Sequence, residues 1–241
     1  MNYNYQPPSR SQRKRVPKQF GTHIFYAEGK KTEPKYVENM KKVIKTRYHM
    51  NPKSDIIIVD EKSGGRNTLS LVQYAEADVK ARRKKGQEID HVWIFYDKDS
   101  FNKDDYDNAY HKIVSKNKKN HLNSDGDATD KNLTRWHALW SNECFELWVL
   151  LHFQYSEAAL SRKTYIPNID DLLKKMGCYS PYEKNLDTLF EMLLTYGNIK
   201  NAVKWAKMLN DNSTHSKVKS NPSTGIHELI EYFQFYLKLD L

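Results

Sequence analysis

Cysteine is scarce in this chain of 241 residues, where Cys144 and Cys178 are the only two. They share no CxxC spacing, which argues against a disulfide framework and against a Cys-rich zinc module. No apolar run approaches the roughly 18 residues that a transmembrane helix needs. The opening segment MNYNYQPPSRSQRKRVPKQF is basic and proline-bearing and lacks the apolar stretch of a signal peptide. No internal repeat is visible. These absences lead to the expectation of a soluble, cytoplasmic protein with no membrane attachment.

Charge and aromatic mass are abundant. Hydrophobic residues make up 39% and aromatics 12%, with 16 tyrosines and 5 tryptophans, enough to build a core. Lys and Arg exceed Asp and Glu by nine, for a pI near 9.2. A basic balance of that size favours polyanionic partners, nucleic acid above all, and also serves plain solubility. Residues 1–20 carry Arg10, Arg13, Lys14, Arg15 and Lys18 among Gln, Ser and Pro. Such a segment cannot bury enough apolar surface to order itself, and it reads as a disordered basic arm or a ragged terminus.

A regular alternation follows. HIFYA (23–27), DIIIVD (55–60) and DHVWIFYD (90–97) read as buried strands, with LTRWHALW (133–140) as a weaker fourth. Between them, residues 34–48, 68–86 and 104–120 show helical spacing, the first with Thr32 as its expected N-cap. The pattern β-α-β-α-β-α-β predicts an α/β domain over residues 21–155, a doubly wound, mostly parallel four-stranded sheet with helices on both faces. From FELWVLLHF (145–153) onward strand signals vanish. Residues 156–241 read as a helical C-terminal extension packed on that domain, with Ser223 or Thr224 as the cap of its last helix. The polar stretch HLNSDGDATDKNL (121–133) reads as a mobile loop.

Ligands of doubly wound sheets bind outside the carboxyl ends of the strands, where the winding reverses. With the order 2-1-3-4 that crevice lies between the first and third strands, which end in Glu28 and in Asp97-Lys98-Asp99. Adjacent strands are about 4.8 Å apart, so these carboxylates can converge. Like charges gathered this way oppose folding unless a cation joins them, and hard oxygen donors suit Mg²⁺, or Mn²⁺ in its place. A lone DxD is weak, since Asp99 can equally cap a helix; its pairing with Glu-Gly after the first strand is more specific. Lys30, Lys31, Lys62, Arg66 and Lys98 fall in loops expected on the same rim, either as phosphate contacts or as solvated charges. Arg66 follows Gly64-Gly65, which would permit close approach of a phosphate to the backbone. Three more residues have two readings each. Glu33 is a further metal ligand or a first-turn acid favoured by the helix dipole. Glu146 joins the acidic cluster or stays apart from it. His152 is an acid–base group or a satisfied core histidine. The lysines of the third helix, among them Lys112 and Lys116, either track a nucleic-acid backbone or form a solvated face.

AEGKKTE (27–33) and YDKDS (96–100) together resemble the Toprim core, with its Glu after the first strand and DxD after the third. More narrowly, FYAEGKKTEPKYVENM, SGGRNTLSLVQYA, VWIFYDKDS, SNECFELWVLLHF and NPSTGIHELI resemble, in order, the blocks of the RloB-like family. The chain departs from that pattern at Glu143, where the family has proline. The resemblance implies a Toprim-like, metal-dependent nuclease of bacterial or archaeal anti-phage defence, acting in abortive infection with an ABC-type ATPase partner. It assigns Glu28, Asp97 and Asp99 to the metal and to catalysis, and implies RNA (tRNA included) or DNA as substrate. A topoisomerase would need a nucleophilic Tyr on a separate domain, and a bacterial primase a zinc module. The competing expectations are a Toprim-like subunit that binds nucleic acid or the ATPase without cutting, and a phosphatase, which would want an Asp where Glu28 stands.

Overall fold

The computed structural model describes residues 20–48, 50–51, 55–98, 103–119, 134–212 and 220–241. The basic arm, apart from Phe20, and the loop expected over residues 121–133 lie outside the described residues, as does Asp99. The elements follow the expected alternation: β1 (Thr22–Ala27), α1 (Thr32–Arg47), β2 (Ile56–Val59), α2 (Thr68–Lys84), β3 (His91–Asp97), α3 (Lys103–Lys119) and β4 (Arg135–Asn142). The remaining ones are α4 (Glu146–Leu150), α5 (Arg162–Lys175), α6 (Leu189–Tyr196), α7 (Ile199–Asp211), β5 (Ser223–Thr224) and α8 (His227–Phe233).

The sheet has order β2-β1-β3-β4-β5, with the first three pairings parallel and β5 antiparallel to β4. It is therefore an α/β fold with a five-stranded, mostly parallel sheet, where four strands were expected. Successive side chains of a strand point to opposite faces, and the core divides accordingly. Phe25, Trp93, Phe95 and Leu139 pack with α1 and the helices of the C-terminal segment. Ile24, Tyr26, Val92, Ile94, Tyr96 and Trp140 pack with α2 and α3 on the other face. Burial on both faces explains why these strands read as unbroken apolar runs rather than alternating ones.

The C-terminal segment is stitched to α1 by polar contacts that sequence periodicity cannot reveal. Asn39 donates to the Glu191 carboxylate at 2.9 Å and accepts from the Glu191 backbone N–H at 2.8 Å. The Trp148 indole N–H donates to the Tyr36 hydroxyl at 2.9 Å in a buried contact. Helix α5 carries Pro167 in its interior, five residues after its start at Arg162. Helix α1 begins at Thr32, with Lys31 rather than Thr32 at the cap.

Ser223 and Thr224 pair with Asn142 and Ser141 instead of capping α8, whose N-cap is Ile226. The Gly225 N–H bonds the Trp140 carbonyl at 2.9 Å, and a Cβ on Gly225 would run into the buried Trp140 ring. Indole rings cannot swing aside in a packed core, so Gly225→Ala should cost about 1–3 kcal/mol in urea unfolding. An unchanged midpoint would show that this contact yields.

Candidate active site

The parallel register sets Ala27 opposite Phe95, and the Glu28 N–H continues the ladder to the Phe95 carbonyl at 3.0 Å. Glu28 and the last residue of β3, Asp97, thus leave neighbouring strands at the same sheet edge. Both are partly exposed. The loop after β2 is buttoned to this edge. Ser63 is buried, accepts from the Ala27 N–H at 3.1 Å and donates to the Asp60 carbonyl at 2.7 Å. The Gly65 N–H donates to the Glu28 carbonyl at 2.8 Å. These bonds bring the first residue of α2 beneath Glu28, where the buried Thr68 hydroxyl donates to Glu28 Oε2 at 3.1 Å. Asp97 Oδ2 accepts the Phe145 backbone N–H, just ahead of α4, at 3.2 Å.

The two acids face one cleft of about 490 Å³. Glu33 and Glu146 line it too, as do the cations Lys30, Lys31 and Arg66. Arg162 and Lys184, from the C-terminal segment, complete the wall. Lys62 and Lys98 are not among the lining residues. Glu33 is only 5% exposed, and a Cβ on Gly29 would meet its carboxylate, so the glycine gives that acid its room. Glu146 is 2% exposed and is bound by Lys184 Nζ at 2.9 Å, with the Tyr182 hydroxyl at 3.4 Å. His152 lies in the core away from the cleft, its Nδ1 bonded to the Trp148 carbonyl at 2.9 Å and its ring edge-on to Trp148.

The glycine pair makes room for a neighbouring side chain. A Cβ on either Gly64 or Gly65 would collide with the Lys30 side chain, and Gly65 has φ +85°. The close approach they allow is that of the Lys30 stem, which crosses the loop toward the cleft. Arg66 is held over the Tyr74 ring at 3.8 Å and donates to the Ser63 carbonyl at 3.0 Å. Sequence reasoning missed Thr68, Arg162 and Lys184. Only Thr68 lay inside a recognised block, and as a helix start it read as local structure.

Burial holds nearby hydroxyl and thiol groups in their neutral forms. The Cys144 thiol is pushed far up, by burial first and then by Glu146 and Asp97, so it is no nucleophile at neutral pH. Tyr182 is pushed up by burial and then by Glu146 and Glu33. The reactive groups of the cleft are therefore carboxylates and cations.

Among the described residues no three His, Cys, Asp or Glu side chains gather closely enough to form a metal cluster of their own. The donor chemistry nonetheless fits Mg²⁺ or Mn²⁺. Glu28 and Asp97 offer hard oxygens at one cleft, and Mg²⁺ takes one or two carboxylates and fills its shell with water and phosphate oxygens.

Fold and site define a class: an α/β protein with a carboxylate pair at the carboxyl edge of a parallel sheet, rimmed by Lys and Arg. The family model described as RloB-like protein matches residues 24–233, and the chain belongs to the RloB-like family. No curated protein matches the chain. No solved structure matches it. Among the described residues no helix is long and apolar enough to cross a membrane.

Proposed function

We propose that the cleft is the active site of a Mg²⁺-dependent, Toprim-like nuclease that hydrolyses phosphodiester bonds in RNA, tRNA included, or in DNA. The observation that carries this reading is the placement of Glu28 and Asp97 at one sheet edge, in a cleft whose rim supplies Lys30, Lys31, Arg66 and Arg162. The strand order β2-β1-β3-β4 supports the Toprim-like assignment, because it sets those acids at the switch point. Glu28 and Asp97, with Asp99 by the family resemblance, would hold the ion. When bound, a divalent ion polarises a phosphoryl oxygen and makes a water more acidic.

The protein's own groups then have distinct tasks. Glu28, steered by the Thr68 hydroxyl, either completes the shell of the ion or accepts the proton of the attacking water. As that water bonds phosphorus, the bond to the leaving sugar oxygen breaks and solvent protonates that oxygen. The Phe145 N–H fixes the Asp97 carboxylate. Lys30 and Arg162 neutralise phosphates flanking the bond that breaks, and Lys184 keeps Glu146 from adding an uncompensated negative charge to a site that must receive a polyanion. Family membership supports a role as effector of an anti-phage, abortive-infection system beside an ABC-type ATPase.

The test is cleavage of total tRNA, ribosomal RNA and plasmid DNA by the full chain with Mg²⁺ or Mn²⁺, with and without the neighbouring ATPase. Cutting of one class names the substrate. Binding without cutting on every arm would replace the nuclease with a docking subunit. Thr68→Val should slow cutting about tenfold, the order of one hydrogen bond to a charged group, without shifting the binding constant. An unchanged rate would remove Thr68 from the mechanism.

A further inference from the structure

A second basic surface lies on the opposite face of the sheet from the C-terminal helices. On α2, Glu76, Val79, Lys80, Arg83 and Lys84 recur at the spacing of one helical face. With Lys116 of α3 and Trp136 of β4 they form a groove of about 540 Å³. Lys80, Arg83 and Lys84 are exposed along it. Its one lining acid, Glu76, is engaged by Lys116 at 2.9 Å and Lys112 at 3.4 Å. Arg83 is anchored by donating to the Thr134 hydroxyl at 2.6 Å. The neighbouring Arg82 turns away to Asp78 at 2.6 Å and does not add to this charge.

We infer that this groove docks the sugar–phosphate backbone of a nucleic-acid duplex, at a distance from the cleft. The occupant follows from charge and shape. Four cations line the groove, Lys80, Arg83, Lys84 and Lys116, and its one lining carboxylate is already paired with Lys116 and with Lys112 beside it. The floor offers no stacking platform for unpaired bases, because Trp136 is 7% exposed and Lys116 sits 5.6 Å above its ring. Point charges repeated along one face of α2, beside Lys116 of the adjoining α3, match a rigid, regularly charged backbone better than splayed bases.

Helix α2 starts beside Glu28 and rises about 1.5 Å per residue, so Arg83 lies roughly 22 Å from the cleft along its axis. At about 3.4 Å per base pair that offset is some six base pairs. This part of the inference rests on reading the cleft as the phosphodiester site. It makes the substrate a structured nucleic acid with a duplex limb of at least that length beside the cut.

The test is fluorescence anisotropy of labelled RNA and DNA duplexes of about 24 base pairs in EDTA, across a KCl series. Lys80→Ala/Lys84→Ala should reduce the slope of log K against log salt by about two units. Affinity near 0.1 M salt should fall roughly 10- to 100-fold. Lys80→Arg/Lys84→Arg should keep the wild-type slope, which separates charge from folding. An unchanged slope and affinity in the alanine variant would overturn the inference. So would binding of polyglutamate, lost in that variant, with no binding of either duplex. A lost slope in a protein that cuts nothing would leave the groove standing and remove the nuclease reading; metal-dependent cutting with an unchanged slope would do the reverse.

Discussion

Glu28→Gln and Asp97→Asn should each reduce cleavage by about 10²- to 10⁴-fold, the usual range for removing a positioned proton acceptor or an ion ligand. Both substitutions preserve shape, and both replaced groups keep an oxygen to accept the Thr68 hydroxyl and Phe145 N–H bonds seen in the structure. Folding should therefore be intact, and duplex affinity in EDTA should stay within about twofold of wild type or rise slightly as negative charge leaves the cleft. The split between cutting and binding is the informative readout. If either variant cuts at the wild-type rate, that carboxylate has no part in the chemistry. If either variant loses binding and cutting together, its role is to hold the fold.

The second large effect concerns pH. His23 and His137 are pushed down to about 3, His23 by burial and His137 by burial and then by the charge of His23 and Arg135. His152 is pushed down to about 4 by burial. His91, stacked between His23 and His137 and bonded to the Tyr232 hydroxyl at 2.9 Å, is pushed well down as well. A histidine kept neutral by folding has a folded value below its unfolded one, so the unfolded chain binds more protons below pH about 6.5. The stability these residues allow is complete above that pH and is lost as pH falls toward about 3. At pH 5 each such histidine costs on the order of 2 kcal/mol. Urea unfolding at pH 7 and pH 5 should show the loss, and a difference under about 1 kcal/mol would mean that these rings are hydrated.

Much of the site's frame is legible in the sequence because its signals are local. Phe25–Ala27 and Trp93–Tyr96 are apolar runs buried on both faces, and a charged residue ends each where the strand leaves the core. The alternation with helices then fixes the parallel order and puts Glu28 beside Asp97. What could not be read depends on contacts made across long stretches of chain. Arg162 and Lys184 reach the cleft only because α5 packs against α4 and the segment after it folds back over α1. Strand β5 is two residues long, too short for any periodicity. Pro167 lies in the second turn of α5, where it removes a single backbone donor. Gly64-Gly65 signals a close approach and is silent about its partner, and the structure brings the Lys30 side chain against both glycines.

The central proposal is that Glu28 and Asp97 would hold a divalent ion in a site that hydrolyses a phosphodiester bond. The most direct measurement is single-turnover cleavage of total RNA and plasmid DNA by wild type and Glu28→Gln, with Mg²⁺ and then with EDTA. The account predicts cutting by wild type in Mg²⁺ alone, abolished by EDTA, restored by excess Mg²⁺ and absent in Glu28→Gln. Cutting that persists in EDTA, or that Glu28→Gln retains in full, would contradict it.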